Sequence, residues 1–106
     1  MNTTTKGTRW RRQVQDWLEA LGYDCVARPW MQPGDDMTVR RGMLALSVET
    51  KDHRALALST WVDQANRQAP DGQIPVVIAH RLGKAKPQDC YVIMSGAAFA
   101  DLLESL

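Results

Sequence analysis

The chain has 106 residues, 44% hydrophobic and 24% charged, with a formal net charge of +1. These are the values of one ordinary globular domain, and they exclude intrinsic disorder, collagen and a coiled coil. No apolar run of about 18 residues is present, so no membrane-spanning helix is expected. Residues 1–6 lack the apolar stretch of a secretory signal. The two cysteines, Cys25 and Cys90, stand far apart without a CxxC pair, which predicts reduced thiols in a cytoplasmic protein rather than a zinc site or a disulfide.

Residues 1–5 read as a loose polar tail. A first helix is predicted over 8–21, because Trp10, Val14, Trp17, Leu18 and Leu21 form one helical stripe and Gly22 can close its C-terminus. Residues 23–28 read as a strand ended by Pro29, and 31–34 as a loop. Two alternating runs follow, 36–40 and 43–51, with Arg41-Gly42 as the expected two-residue hairpin turn. A second helix is predicted over 55–68, burying Leu58, Trp61, Val62 and Ala65. The nearly continuous apolar run 74–80 suggests a strand covered on both faces. A basic loop at 81–88 leads to a strand at 90–94. Ser95 can cap a last helix with Phe99, Leu102, Leu103 and Leu106 facing inward. The order α-β-β-β-α-β-β-α predicts an α/β domain with a central mixed sheet flanked by helices.

Strand alternation singles out a cluster of polar side chains. Leu44, Leu46 and Val48 claim one face, so Ser47, Glu49 and Lys51 take the other. With the turn at Arg41-Gly42, Asp36 lies opposite Ser47 and diagonal to Glu49, and Asp35 falls on the far side. A one-residue slip would exchange the two aspartates. Two carboxylates at one strand edge repel each other, and a divalent cation removes that cost. Few hard oxygen ligands with room for water suit Mg²⁺, and Lys51 beside them can orient water or stabilise developing negative charge. This chemistry is metal-assisted phosphodiester hydrolysis. The alternative is a solvated sheet face with a weak cross-strand ion pair.

Net charge alone does not suggest a nucleic-acid partner; the charge distribution leaves two readings, phosphate binding by local basic patches or plain solubility. Lys6, Arg9, Arg11 and Arg12 precede the first acidic residue, Arg40 and Arg41 adjoin, and Arg81, Lys84 and Lys86 form a third cluster without an acid. Such patches attract phosphates. Trp30, beside Pro29 and Met31, is the candidate exposed aromatic, at a DNA or dimer contact. His53 reads as a bystander. His80 either meets a phosphate or caps its strand.

Asp36 followed after twelve residues by Glu49-Thr50-Lys51 resembles the motif of the PD-(D/E)XK nuclease superfamily, and the element order resembles its restriction-endonuclease-like αβββαβ core. Residues 34–37, 46–51, 61–65, 76–81 and 91–94 are similar to segments of the small Holliday junction resolvases of actinobacterial phages. The resemblance implies Asp36 and Glu49 as metal ligands, with the Thr50 carbonyl as a third. It implies Lys51 as the catalytic lysine and Gln64 as a supporting or DNA-contacting residue. It further implies Mg²⁺ with Mn²⁺ as a substitute, branched DNA as substrate, and a homodimer, since a two-fold junction needs two coordinated nicks. Residues 7–13 carry arginine or glutamine where many relatives have a first-helix glutamate. Either fewer carboxylates suffice, or the chain binds DNA without cutting it. Duplex, flap or end substrates are the remaining alternative.

Overall fold

Alternating side chains in the middle of the chain build a five-stranded sheet whose strands neighbour one another in sequence order. The computed structural model describes residues 3–29 and 31–106, of which 3–6 in backbone only; Trp30 and the Lys6 side chain therefore lie outside the described residues. The elements are helix α1 (Thr3–Ala20), strands β1 (Asp24–Ala27), β2 (Met37–Arg41) and β3 (Leu44–Lys51), helix α2 (Leu58–Gln68), strands β4 (Ile74–Ala79) and β5 (Tyr91–Ile93), and helix α3 (Gly96–Glu104). A short 3-10 turn at Pro87–Asp89 interrupts the expected basic loop. The helix starts at Thr3, so the predicted polar tail is shorter than five residues.

β1, β2 and β3 pair antiparallel, β3 and β4 pair parallel, and β5 returns antiparallel. The parallel step uses α2 as its crossover, as such pairs require. Both sheet faces are covered. On one, Trp10 and Val14 of α1 pack on Met37, Val39, Val48, Val76 and Ile78. On the other, Trp61 and Ala65 of α2 pack on Val77 and Ala79. This two-sided cover is why β4 reads as a continuous apolar run and why Ala45 and Ser47 of β3 are buried too.

The hairpin turn differs from expectation. Arg41 pairs with Leu44 and Thr38 with Ser47, so the turn is Gly42-Met43. Gly42 has a φ of +59°, and a two-residue turn with a positive φ at its first position takes glycine there. The shift moves the pairing by two residues, which leaves the paired side chains of β2 and β3 on their expected faces.

Several apolar assignments also change. Leu21 and Leu58 are half exposed at the ends of their helices. In α3 the buried residue is Ala98, while Phe99, Leu103 and Leu106 face outward and Leu102 is half-buried. The short helix buries its small residue Ala98 and leaves its large ones at least half exposed, Leu102 apart. Ser95 does cap α3, accepting from the Ala98 N–H at 3.0 Å.

Candidate active site

The topology brings one end of β2, the C-terminal end of β3 and the middle of α2 together. Ligand sites in sheets with parallel strands commonly form at such carboxyl ends. Glu49 and Lys51 leave β3 on the α2 side. Trp61 and Ala65 anchor α2 in the core, and Gln64 between them is carried over the strand end.

Lys51 Nζ donates to Gln64 Oε1 at 2.8 Å and lies 3.3 Å from Glu49 Oε2. Gln64 Nε2 donates to the same Glu49 oxygen at 3.4 Å. The other oxygen, Oε1, is buried without a hydrogen-bond partner among the described residues. Glu49 itself is only 7% exposed. Burial, reinforced by the neighbouring Asp36 and opposed by Lys51, pushes its carboxyl up to about 7.

Asp36 stands at the edge beyond β2. Its N–H donates to the Val48 carbonyl at 2.9 Å, although Met37 is the residue paired with Val48. Two residues thus face one, as in a bulge, and such a feature re-aims a side chain. The Asp36 carboxylate reaches residue 50, where Oδ2 accepts from the Thr50 N–H at 2.8 Å and from Thr50 Oγ1 at 2.6 Å. The Thr50 carbonyl leaves the strand on the same edge as its N–H.

Asp35 is placed differently from expectation. It lies outside β2, so strand alternation does not govern it, and its carboxylate turns under the Glu49 face to accept from Ser47 Oγ. It is 3% exposed. Arg28 Nη2 and Nε donate to its Oδ1 at 2.8 and 3.1 Å, and Arg28 Nε also donates to its backbone carbonyl at 2.9 Å. The Arg28–Asp35–Ser47 cluster is not legible as a unit in the sequence, because the contacts join a strand end, a loop and a central strand.

The two carboxylates fit a divalent cation. An unpartnered buried Glu49 oxygen beside a second carboxylate is the donor set such an ion relieves, and Mg²⁺ needs only one or two carboxylates beside its waters. Asp36, Glu49 and the Thr50 carbonyl are the groups that would hold it. Among the described residues no group of three or more His, Cys, Asp or Glu side chains is placed to hold a metal, so a third carboxylate does not join the pair.

The basic clusters divide. Trp10 stacks on His80 with ring centroids 4.5 Å apart, and Trp10 Nε1 donates to the Ile78 carbonyl at 3.2 Å. That contact sets the Trp10 turn of α1, with Arg9 and Arg11 on either side in sequence, against the C-terminal end of β4, where Ala79 pairs with Lys51 and the loop carrying Arg81, Lys84 and Lys86 leaves the sheet. Arg12 pairs with Asp16 at 3.5 Å in solvent, and Arg81 lies over the Tyr91 ring. Arg40 and Arg41 are at the other end, with Arg41 over the Tyr23 ring. Leu44 and Lys51 bound the eight-residue β3, about 23 Å apart at the usual rise per residue. Arg40 and Arg41 therefore stand away from the site.

Both ring nitrogens of His80 are engaged. Nδ1 is 2.9 Å from Asp52 Oδ1 and Nε2 is 2.6 Å from the Lys84 carbonyl. His53 leans on Trp61 at 5.5 Å. Cys25 and Cys90 are free thiols packed against the core. Burial raises both above their ordinary value, with Glu19 and Asp24 adding at Cys25 and Asp89 at Cys90 against a lowering backbone hydrogen bond. Neither is an activated nucleophile. Among the described residues no helix is long and apolar enough to cross a membrane.

No model of a known protein family matches the chain, and no curated protein matches it. Among solved structures the chain is similar to Hjc, a Holliday junction resolvase from the archaeal hyperthermophile Archaeoglobus fulgidus. The TM-score is 0.64 at 22% identity, over 83% of this chain and 71% of that one. The fold is thus the restriction-endonuclease-like α/β fold, with a mixed sheet flanked by helices.

Proposed function

We propose that this chain is a divalent-metal-dependent endonuclease that hydrolyses phosphodiester bonds in branched DNA, four-way junctions foremost. The observation that carries the reading is the buried Glu49 carboxylate, one oxygen held by Lys51 and Gln64 and the other unpartnered, with Asp36 beside it. The similar archaeal fold belongs to a Holliday junction resolvase, which favours the junction as substrate. The narrower likeness to phage-type resolvases rests on the sequence segments alone.

A divalent cation, Mg²⁺ or Mn²⁺, supplies a Lewis acid for the phosphodiester and acidifies water. Asp36 and Glu49 hold it, and Glu49 must lose its proton to do so. Lys51 presents a positive charge and hydrogen-bond donors to the nucleophilic water or the developing negative charge. Gln64 acts through both, bracing the Lys51 ammonium with its carbonyl and Glu49 with its amide. Arg9, Arg11, Arg12, Arg81, Lys84 and Lys86 hold phosphates, which positions the substrate by shape and not by base sequence. A two-fold junction calls for two copies of the chain. The outward Phe99 and Leu103 of α3, with Tyr91 and Val92 of β5, offer apolar surface for pairing.

The test is nicking of a labelled four-way junction in Mg²⁺, wild type beside Lys51→Ala. Paired symmetric nicks by the wild type alone support the reading, and equal cleavage of the separate duplex arms would replace the junction with ordinary duplex. A second reading, a DNA-binding module without cleavage, is favoured by the absence of an acid from residues 7–13 and by the two-carboxylate site. It predicts tight junction binding with no nicks in either metal.

A further inference from the structure

We infer that Arg28 is a positioning residue for the metal ligand Asp36, acting through its neighbour Asp35. The inference rests on the proposed metal site and concerns what holds that site in shape.

Asp36 lies outside the regular ladder, at the end of a loop that runs from Pro29 and contains Gly34 at a φ of +126°. Nothing in strand pairing alone fixes the direction of its carboxylate. Arg28, the last residue before that loop, makes three hydrogen bonds to Asp35, two to the carboxylate and one to the backbone carbonyl. The carbonyl bond matters most, because it fixes the peptide that leads directly into Asp36. From the other end, the Arg28 N–H donates to the Asp36 carbonyl at 2.9 Å. Arg28 thus grips the residue before the ligand with its side chain and the ligand itself with its backbone. Ser47 holds the second Asp35 oxygen from the floor of the site.

Gly34 completes the clamp. A Cβ there would stand 2.6 Å from Arg28 Cζ and Nε. The guanidinium occupies the space a side chain at 34 would fill, so glycine leaves it room to reach Asp35 with two of its nitrogens. Lysine has no such fork and cannot reproduce the three bonds. The Arg28–Asp35 pair is nearly enclosed on the Asp35 side, so removing one charge strands the other, whereas removing both leaves a near-neutral change. That asymmetry separates positioning from mere stability.

The experiment measures Mn²⁺ affinity by calorimetry and by the Mn²⁺ spin-resonance signal, on wild type, Glu49→Ala, Arg28→Met and the double variant Arg28→Met with Asp35→Asn. Thermal midpoints are recorded beside each. In the double variant the amide that replaces the Asp35 carboxylate still meets Ser47, and no buried charge is left alone. The expected result is a thermal midpoint close to wild type in the double variant, with Mn²⁺ affinity about 10- to 100-fold weaker, the usual cost of losing a group that orients a ligand. Wild-type Mn²⁺ affinity in the double variant, with Glu49→Ala binding poorly, overturns the positioning role and leaves the metal site standing. Wild type without Mn²⁺ binding overturns both. If Arg28→Met alone does not fold, the double variant decides.

Discussion

The two ends of the β2–β3 hairpin obey different rules. At the turn end, Gly42 supplies the positive φ, Met43 is 99% exposed, and Arg40 and Arg41 stand in solvent. Every group there follows local propensity. At the other end, about 23 Å away along β3, Asp35 and Glu49 are buried, Asp36 leaves the ladder, and one Glu49 oxygen goes unpartnered. Buried polar groups without partners cost stability, and chains retain that cost mainly where chemistry requires it. The contrast marks the carboxylate end as the candidate site before any comparison with another protein.

The largest expected effect breaks the contrast directly. Lys51→Ala lowers junction nicking by about 100-fold or more, the scale of a lost group that meets developing charge. Arg41→Ala at the turn end changes the rate by less than about two-fold. Initial nicking rates in Mg²⁺ measure both. An Arg41→Ala loss as deep as that of Lys51→Ala would erase the distinction between the ends.

The second effect is on stability. In the folded chain Glu49 holds its proton up to about 7, against an ordinary value of 4.5. Between those values the folded state binds a proton that the unfolded state has released. Its contribution is therefore fully present below about 4.5 and is lost as pH rises through about 7, on the order of 3 kcal/mol in all. Urea unfolding of metal-free protein across that window, wild type against Glu49→Gln, isolates it. The difference between the two should change as pH rises through the window, with wild type losing stability relative to the variant, and a constant difference would return Glu49 to the ordinary carboxylate range. Metal affinity runs the opposite way and strengthens as pH rises through about 7.

The smallest effect sharpens the division of the basic clusters. Lys84→Ala and Lys86→Ala should each flatten the slope of log affinity against log salt by about one. Arg40→Ala and Arg41→Ala should leave it unchanged. Equal slopes for all four would mean that DNA reaches both ends of the sheet.

The carboxylate end is legible in its central members because strand alternation survives errors of register. Moving the turn from Arg41-Gly42 to Gly42-Met43 shifts the pairing by two, and two is the period of the strand, so Glu49 and Lys51 keep their faces; Asp36 lies beyond β2, where the bulge and not alternation aims its carboxylate at residue 50. Gln64 comes from resemblance alone, since one polar residue on a helix carries no pattern. Asp35 departs from its expected side because alternation does not extend past the end of β2. Its partner Arg28 cannot be read from sequence at all, because two loop-adjacent charges meet only through the tertiary path of the chain. The faces of α3 differ for a similar reason. Periodicity identifies an apolar stripe but does not say whether a short terminal helix turns its large or its small side to the sheet.

The parallel pairing of β3 with β4 also divides the site between near and distant parts of the chain. Asp36 and Glu49 come from the β2–β3 hairpin, whereas Gln64, which braces Glu49 and Lys51, comes from the crossover helix that a parallel pair requires. The seat of α2 on the sheet, made by Trp61 and Ala65, is therefore part of the site. Trp61→Ala, which loosens that seat, should rehydrate Glu49 and bring its carboxyl back toward the ordinary range.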